Sequence, residues 1–399
     1  MNIPSKPFLP GRAAAQPGPL ARFLPPLPEG IAAAWLQQRF PPSTISPAPW
    51  VLDPFGTSPR LAIEIARQGK RVLVAANNTI ARFLLEMTAS PPTKAELQGV
   101  LAELAASPKG SERLEPHLRG LYTTHCAECN QPILAQAFLW ERGAAAPYAR
   151  LYQCPFCGDS GEHAATQFDI DQAHKYTSGG LHKARALERV APPDDPDRVH
   201  VQEALEVYPP RAVYALFTMI NKLDGLNLSH RRRDCLAALL LSACDQGNTL
   251  WSYPAARERP RQLTVPPRYR ENNIWLALEQ SIERWASQEM AVPLTIWPNP
   301  PPQDGGVVVF EGRFKDLLET IQRQGHAQLP IQAVLTALPR PNQAYWTFSA
   351  LWAGWLWGHE AVGPFKSVLR RRRYDWAWHT AGLSAALRGL SQALQTGTP

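Results

Sequence analysis

The sequence predicts an α/β fold whose parallel sheet is interrupted by an insertion that carries four cysteines. Three observations predict this fold: a strand, helix, strand pattern over residues 50–76, a second group of strand patterns beyond residue 300, and two Cys-x-x-Cys pairs between them. The chain has 399 residues, 45% of them hydrophobic, which suffices for one large domain with an insertion or for roughly two to three smaller units.

The first strand is predicted by the apolar run Trp50-Val51-Leu52, which is followed by a turn over Asp53 to Pro59. Apolar residues between Arg60 and Arg67 have helical spacing, and Gly69 stands where a helix commonly ends in a left-handed residue. The run Val72 to Ala76 predicts the second strand. Because a helix connects the two strands, we expect them to be parallel.

The remaining segments are predicted in chain order from the same signals. Residues 1–30 are rich in Pro and Ala without periodicity, which predicts an extended or partly disordered arm. Thr93 and Glu96 form a capping-box pattern that opens a helix. The other predicted elements are a helix over 31–40, a helical region over 210–244, a helix over 274–287, strands over 307–310 and 331–336, a helix over 314–324 and a final helix near 378–394.

The cysteine insertion contains two pairs, Cys126-Ala-Glu-Cys129 and Cys154-Pro-Phe-Cys157, which are separated by 24 residues. Each pair places two thiolates on a tight turn whose backbone N–H groups can donate to sulfur. Two such turns form a tetrahedral site for a structural Zn²⁺, and four protein ligands leave no open position for catalysis. The alternatives are four unrelated thiols or a redox pair.

Three further residues bear on this metal site. His125 is able to replace one cysteine, although the set of four does not need it. Cys235 and Cys244 lie in apolar helical patterns and are interpreted as buried thiols.

Composition limits the class of protein. No run of about eighteen apolar residues occurs, so we expect no membrane-spanning helix. Residues 1–20 lack the apolar centre of a signal peptide, so we expect a cytoplasmic protein, in which cysteines serve as metal ligands or buried thiols before disulfides. The net charge of +7 permits a nucleic-acid partner and does not require one.

The order and spacing of the sequence motifs resemble those of a known family. The chain resembles the first motif of amino-methylating DNA methyltransferases over Val51-Leu52-Asp53-Pro54-Phe55 and Gly69-Lys70-Arg71-Val72. A zinc-ribbon subgroup of adenine-specific DNA methylases carries its ribbon between this motif and a catalytic Asp-Pro-Pro-Tyr. The segments that resemble this subgroup are Leu121-Tyr122-x-Thr124-x-Cys126, Tyr152-x-Cys154-Pro155-x-Cys157-Gly158, Tyr208-Pro209-Pro210-Arg211 and Tyr269-Arg270-Glu271-Asn272.

The resemblance covers most of residues 50–390 and implies a Rossmann-like, S-adenosylmethionine-dependent methyltransferase fold with an inserted zinc ribbon and helical segment. The implied division is a Pro-rich arm (1–30), the first part of the methyltransferase domain (31–120), the zinc ribbon (121–164), a helical insertion for target recognition (165–300) and the second part of the methyltransferase domain (301–399). The implied S-adenosylmethionine contacts are Asp53, Pro54, Phe55, Gly56, Thr57 and Ser58 beside the methionine part, with Asn77 and Asn78 beside the ribose.

The sequence departs from the family at the cofactor positions. Thr57 and Pro59 stand where the family has its two turn glycines, and Ala76 stands where the family has the acidic residue that binds the ribose. A threonine hinders close backbone approach to a ligand, and a proline removes one N–H donor.

The catalytic segment departs further. Ala337-Leu338-Pro339-Arg340 occupies the place of Asp-Pro-Pro-Tyr, whose Asp accepts from the target amino group and whose ring stacks on the flipped base. Ala337 has no acceptor in its side chain. Arg340 offers a guanidinium for stacking instead of a ring, and Tyr345, Trp346 and Phe348 follow closely.

Two arginine clusters bear on nucleic-acid binding. Arg370, Arg371, Arg372 and Arg373 precede Tyr374 and Trp376, and arginines beside aromatic rings suit phosphate contact with base stacking. The cluster His230-Arg231-Arg232-Arg233 is interpreted instead as a solvated helix start, with nucleic-acid contact as the alternative.

Three hypotheses follow. The first is a diverged S-adenosylmethionine-dependent methyltransferase acting on N6 of adenine or N4 of cytosine in DNA. The second is a catalytically inactive relative that serves as a DNA-binding or partner-binding subunit, because the cofactor turn, the ribose acceptor and the amine acceptor are all altered. The third, an RNA-acting enzyme on the same scaffold, has less in its favour.

Overall fold

The computed structural model describes residues 11–13, 17–40, 50–176, 180–255, 259–370 and 375–399, with every side chain in these ranges except that of His326. The chain divides into two compact units. Unit 1 consists of Met1–Pro91, Gln288–Pro341 and Tyr374–Pro399, and unit 2 consists of Pro92–Ser287 and Asn342–Arg373.

The helices of the described residues are α1 (Ile31–Arg39), α2 (Pro59–Arg67), α3 (Thr79–Ala89), α4 (Lys94–Ala106), α5 (Leu114–Gly120), α6 (Gln167–His174), α7 (Gly180–Glu188), α8 (Arg198–Leu205), α9 (Pro210–Gly225), α10 (His230–Gln246), α11 (Ile274–Trp285), α12 (Phe314–Gln328), α13 (Gln343–Trp357) and α14 (Trp376–Ala393), with a 3-10 segment over His359–Arg370. The strands are β1 (Trp50–Asp53), β2 (Arg71–Ala75), β3 (Pro108–Lys109), β4 (Glu112–Arg113), β5 (Thr123–His125), β6 (Pro132–Leu134), β7 (Ala137–Glu141), β8 (Ala149–Gln153), β9 (Ser160–Ala164), β10 (Arg268–Asn272), β11 (Leu294–Ile296), β12 (Gly306–Phe310) and β13 (Ile331–Val334).

Unit 1 is built on a sheet of five parallel strands in the order β11-β12-β2-β1-β13. The predicted strand, helix, strand unit is confirmed: α2 connects β1 to β2, Pro59 is its first residue, and Gly69 follows it with a φ of 69°. Helix α2 begins at Pro59 because the first turn needs no N–H donor there. The chain is therefore a mixed α/β protein with a parallel sheet.

Both faces of this sheet are buried, as parallel sheets require. Side chains alternate along each strand, so Val72 and Val74 of β2 pack with α2 on one face, whereas Leu73 packs on the other. The second face is covered by α12 and α14 through residues that include Leu317 and Leu390. Because helices cover both faces, successive residues of each strand are apolar, and the strands appear in the sequence as continuous hydrophobic runs.

Unit 2 combines helices with small antiparallel sheets. Its four-stranded sheet has the order β10-β7-β8-β9, and β5 pairs with β6. The predicted capping box is present at the start of α4, where Thr93 accepts from Glu96 N and the Glu96 side chain accepts from Thr93 N. Cys235 and Cys244 are buried in α10, as predicted.

The unit boundaries differ from the expected division in three places. The parallel sheet resumes at β11, before residue 300, because a three-residue edge strand between prolines gives little sequence signal. Residues 92–120 and 342–373 belong to unit 2, whereas the expected division placed them with the strands of the parallel sheet. Helix α13 is apolar around almost its whole circumference, and a helix of that kind must be enclosed by other helices.

The described residues of the N-terminal region, 11–13 and 17–30, make backbone and core contacts that an extended arm would lack. The backbones of Arg12 and Glu29 form an isolated antiparallel β-bridge, and the side chains of Leu20 and Phe23 are buried. No helix within the described ranges is long and apolar enough to cross a membrane.

Candidate functional site

The four cysteines predicted as metal ligands lie together in unit 2. The Sγ atoms of Cys126, Cys129, Cys154 and Cys157 all lie within 4.8 Å of one another. The Cys126–Cys157 and Cys129–Cys154 Sγ–Sγ distances are 3.5 and 3.6 Å. These distances exceed the ~2.05 Å of a disulfide and are close to the ~3.8 Å edge of a sulfur tetrahedron around zinc. The cluster could therefore hold a metal ion such as zinc.

Matching turns carry the two halves of the cluster. Asn130 N donates to Cys126 O and Gly158 N donates to Cys154 O, both at 3.1 Å. Asn130 and Gly158 have positive φ angles of 54° and 84°, which suit an asparagine and a glycine. Burial alone would raise the pKa of Cys154, but N–H groups of its own turn lower it to about 7. The second turn therefore favours a thiolate at Cys154, the form that binds metal, whereas the pKa values of Cys129 and Cys157 are raised because burial and the neighbouring cysteine side chains outweigh their backbone hydrogen bonds.

A buried tyrosine joins the two turns. The Tyr152 hydroxyl donates to Asp159 Oδ2 at 2.7 Å and accepts from Ala127 N at 2.8 Å. Ala127 belongs to the first turn, and Asp159 follows the second. The ring of Tyr152 also stacks on His163 at 4.6 Å between centroids. These contacts fix the relative positions of the two cysteine pairs, which is the role of the groups that surround a structural metal site.

The second candidate site lies at the carboxyl edge of the parallel sheet in unit 1. Asp53 ends β1 between β2 and β13, where the order of the strands reverses, and ligands of open α/β sheets bind at such a point. Asp53 Oδ1 accepts from Phe55 N, Gly56 N and the Thr336 hydroxyl at 3.3, 3.1 and 2.5 Å. Its Oδ2 is buried and has no hydrogen-bond partner among the described residues.

The predicted cofactor turn and the predicted catalytic segment meet at this edge. The Thr57 hydroxyl donates to Ala337 O at 2.5 Å, which joins the turn after β1 to the segment after β13. The side chain of Ala337 is buried, whereas Leu338 and Arg340 are exposed. The two segments are thus held to each other by their own hydroxyl groups.

The adjoining end of β2 is also occupied by the chain itself. Gly56 has a φ of 55°, and a Cβ atom there would lie 2.5 Å from Ala75 O, so the turn packs directly on β2. Ala76 is buried and carries no acceptor in its side chain. Asn78 Oδ1 accepts from Ile80 N and Ala81 N, at 2.9 and 3.3 Å, and so caps α3.

These residues do not fit S-adenosylmethionine in the way that the resemblance implies. The ribose position has no carboxylate, and the Asn78 carbonyl is engaged as a helix cap. Glu311, at the end of β12, pairs with Arg82. Thr57 and Ala337 offer a hydroxyl-to-carbonyl bond where the family has a glycine and a carboxylate. No methyl-transfer step follows from these groups.

The predicted nucleic-acid residues are divided between the units. In unit 2, Arg370 Nε donates to Asp197 Oδ1 at 2.5 Å, while its side chain is still 62% exposed. In unit 1, Trp376 and Trp378 are 57% and 45% exposed at the start of α14. Arg371, Arg372, Arg373 and Tyr374 lie outside the described residues.

The second arginine cluster has acidic partners, which agrees with its interpretation as a helix start. Arg231 pairs with Glu96 at 3.0 Å, Arg232 with Glu103 at 2.5 Å and His230 with Asp234 at 2.9 Å. Arg233 lies 3.7 Å from a carboxylate oxygen of Asp224.

Sequence reasoning missed two groups of residues. Thr336 was not assigned to the strand-end site, although a hydroxyl at the end of a predicted buried strand is the available signal. The ion pair of Arg211 with Glu271 was also missed, because these residues are distant in sequence and only folding brings them together.

Comparison with known proteins identifies no relative of this chain. The chain matches no protein-family model, and no curated protein or solved structure is significantly similar to it. Its function is therefore inferred from the residues themselves.

Asp53 is expected to make the stability of unit 1 depend on pH. Burial raises the pKa of Asp53 from 3.8 to about 6, although its hydrogen bonds from Thr336, Gly56 and Phe55 oppose the rise. The folded state therefore holds this proton more tightly than the unfolded state. The resulting stabilisation is complete below about pH 4, and it is lost as the pH rises through 6. The full shift corresponds to roughly 3 kcal/mol.

The measurement is urea unfolding of the natural chain and of Asp53→Asn from pH 4 to pH 8. Asn has the same shape and does not titrate, so the difference between the two proteins isolates this carboxyl group. We expect the difference in unfolding free energy to change by roughly 3 kcal/mol across the range. A difference that is independent of pH would show that Asp53 titrates normally.

Proposed function

We propose that this chain is a zinc-binding, methyltransferase-like protein that binds nucleic acid without transferring methyl groups. The observation that carries the proposal is the bond between the two segments expected to form the active site, from the Thr57 hydroxyl to Ala337 O. An active amino-methyltransferase needs an acceptor for the target amine at this place, and Ala337 provides none in its side chain.

The sheet supports the scaffold part of the proposal. In the order β12-β2-β1-β13, the strand that ends in Asp53 lies beside the strand that precedes Ala337. The cofactor motif and the catalytic segment that the resemblance implies therefore lie on neighbouring strands of one sheet. A protein that lost catalysis would keep this arrangement, because the strands form the core of unit 1.

Zinc has a structural role in this proposal. Four cysteine ligands complete a tetrahedral shell, so no position is left for water or substrate. The turns hold the cysteines through Asn130 and Gly158, and Tyr152 holds the turns together. Zinc would thus stabilise the region around the cysteines, where the apolar cluster is small.

The nucleic-acid part rests on charge and on exposed rings. The net charge is +7, and four consecutive arginines precede the exposed rings of Trp376 and Trp378. Arginines that are close in sequence to aromatic residues suit phosphate contact and base stacking, which together bind single strands or duplex ends.

The proposal is tested by measuring binding and chemistry on the same zinc-loaded sample. We expect DNA binding that weakens steeply with salt, and no transfer of tritium from labelled S-adenosylmethionine to unmethylated DNA or RNA. Changing Arg371, Arg372 and Arg373 to Ala is expected to reduce the salt dependence by up to about three counterions, whereas Arg388→Ala is the control. Methyl transfer at any multiple-turnover rate would overturn the non-catalytic assignment.

A further inference from the structure

Unit 2 contains a cleft that none of the preceding sites uses. The cleft has a volume of about 370 Å³, at the lower end of the range for small-molecule sites. It is formed where α7, α9 and α13 end and α10 begins. Three arginines line it, together with two carboxylates, an indole ring and an imidazole.

Helix α13 packs closely on the end of α7 beside the cleft. A Cβ atom on Gly354 would lie 2.7 Å from a methyl group of Val190 and 2.9 Å from Arg189 O, so only glycine fits at this crossing. The Trp355 Nε1 donates to Ala186 O at 3.0 Å in the same contact. The walls are therefore positioned before any ligand binds, which reduces the entropy lost on binding.

The cleft carries more positive charge than its own carboxylates neutralise. Asp224 is shared by Arg189, at 2.6 Å, and Arg233, at 3.7 Å. Arg185 is exposed on the last turn of α7 and has no ion pair within the described part of the chain. Arg233 lies in the first turn of α10, where the helix dipole disfavours a cation, so the dipole does not explain its position.

The opposite wall provides features that suit a base. The indole of Trp357 is half-buried and lines the cleft. Trp357 and Leu356 belong to the last turn of α13, which ends at the cleft. The Glu188 carboxylate is an acceptor for an amino group or a ribose hydroxyl.

We propose that this cleft binds one nucleotide unit, with its phosphate between Arg185 and Arg233 and its base against Trp357. A guanidinium matches phosphate in shape as well as charge, and a base stacks on an indole independently of its sequence. The nucleotide is either free or part of a single strand. In the second case the inference rests on the proposed nucleic-acid function and assigns a recognition site to it.

The test is calorimetric titration of the zinc-loaded chain with the nucleoside 5′-monophosphates and, separately, with a short single-stranded oligonucleotide. Arg185→Ala and Trp357→Ala are each expected to weaken binding at least about fivefold, and Trp357→Phe is expected to recover most of the loss because it restores a ring. Lys315→Ala removes one exposed charge in unit 1 and is the control, for which unchanged binding is expected.

Each outcome decides the inference. Loss of mononucleotide binding in Arg185→Ala supports a site for free nucleotides, and loss confined to the oligonucleotide supports a site for a strand. Arg185 is exposed, so this variant is expected to fold even if Trp357→Ala does not. Oligonucleotide binding that Arg185→Ala retains in full, together with unchanged mononucleotide binding, would overturn the cleft assignment and leave the proposed function intact. Absence of all binding would overturn both.

Discussion

Cys154→Ser is expected to release zinc and to unfold the ribbon of unit 2. The reason is that this region has a small apolar core made largely of the ligands themselves and Tyr152. The free energy of zinc binding to structural sites is about 10–16 kcal/mol in small zinc-finger peptides, and it acts as folding free energy. We expect metal analysis to give close to one zinc per natural chain and much less for the variant.

The control for this experiment is Cys235→Ala. Cys235 is a buried cysteine in α10 and does not belong to the four-cysteine cluster. Its replacement is expected to leave the zinc content unchanged, so a loss specific to Cys154 identifies the ligand set. A metal-free natural chain whose circular dichroism and proteolytic resistance match the zinc-loaded form would contradict the structural role of zinc.

Arg211→Ala is expected to destabilise unit 2 by about 3–5 kcal/mol, because it leaves the Glu271 carboxylate buried and unpaired. Both side chains are 2% exposed, and Arg211 Nε and Nη2 donate to the two Glu271 oxygens at 2.8 and 2.7 Å. Trp140 Nε1 also donates to Glu271, at 2.8 Å. The guanidinium lies 4.4 Å from the ring centroid of Phe138.

Urea unfolding with a double-mutant cycle measures this effect. Arg211→Met combined with Glu271→Leu is expected to lose much less stability than either single change, since no charge is then left unpaired. Arg231→Ala is the matched control. Arg231 and Glu96 are more than one-third exposed, so breaking their pair is expected to cost about 1 kcal/mol or less. Equal losses for Arg211→Ala and Arg231→Ala would contradict the argument from burial.

The elements of the fold that could be predicted are those determined by sequence patterns of a few neighbouring residues. The strand, helix, strand unit over residues 50–75 followed from apolar runs, the turn and Gly69, and each of these signals acts within a few residues. The capping box at Thr93 and the cysteine pairs are local in the same sense. The proximity of the four cysteines could be predicted because a tetrahedral zinc site needs two pairs of closely spaced ligands.

The rest depends on contacts between distant segments. Arg211 and Glu271 carry complementary charges, but nothing in the sequence states that both become buried. Helix α13 belongs to unit 2, where its apolar surface is enclosed. Hydrophobic attraction is non-directional, so the sequence pattern of the helix does not show which part of the chain will bury it. The bond of Thr57 to Ala337 likewise joins residues 280 positions apart.

The most direct test of the central claim is calorimetric titration of S-adenosylmethionine into the zinc-loaded chain. The claim is that the carboxyl edge of the parallel sheet is closed by the chain's own groups, with Thr57 bonded to Ala337 O and Asn78 engaged as a helix cap. We predict only the heat of dilution. Saturable binding of one S-adenosylmethionine per chain, abolished by Gly56→Val at the turn, would contradict the account and restore the enzyme hypothesis.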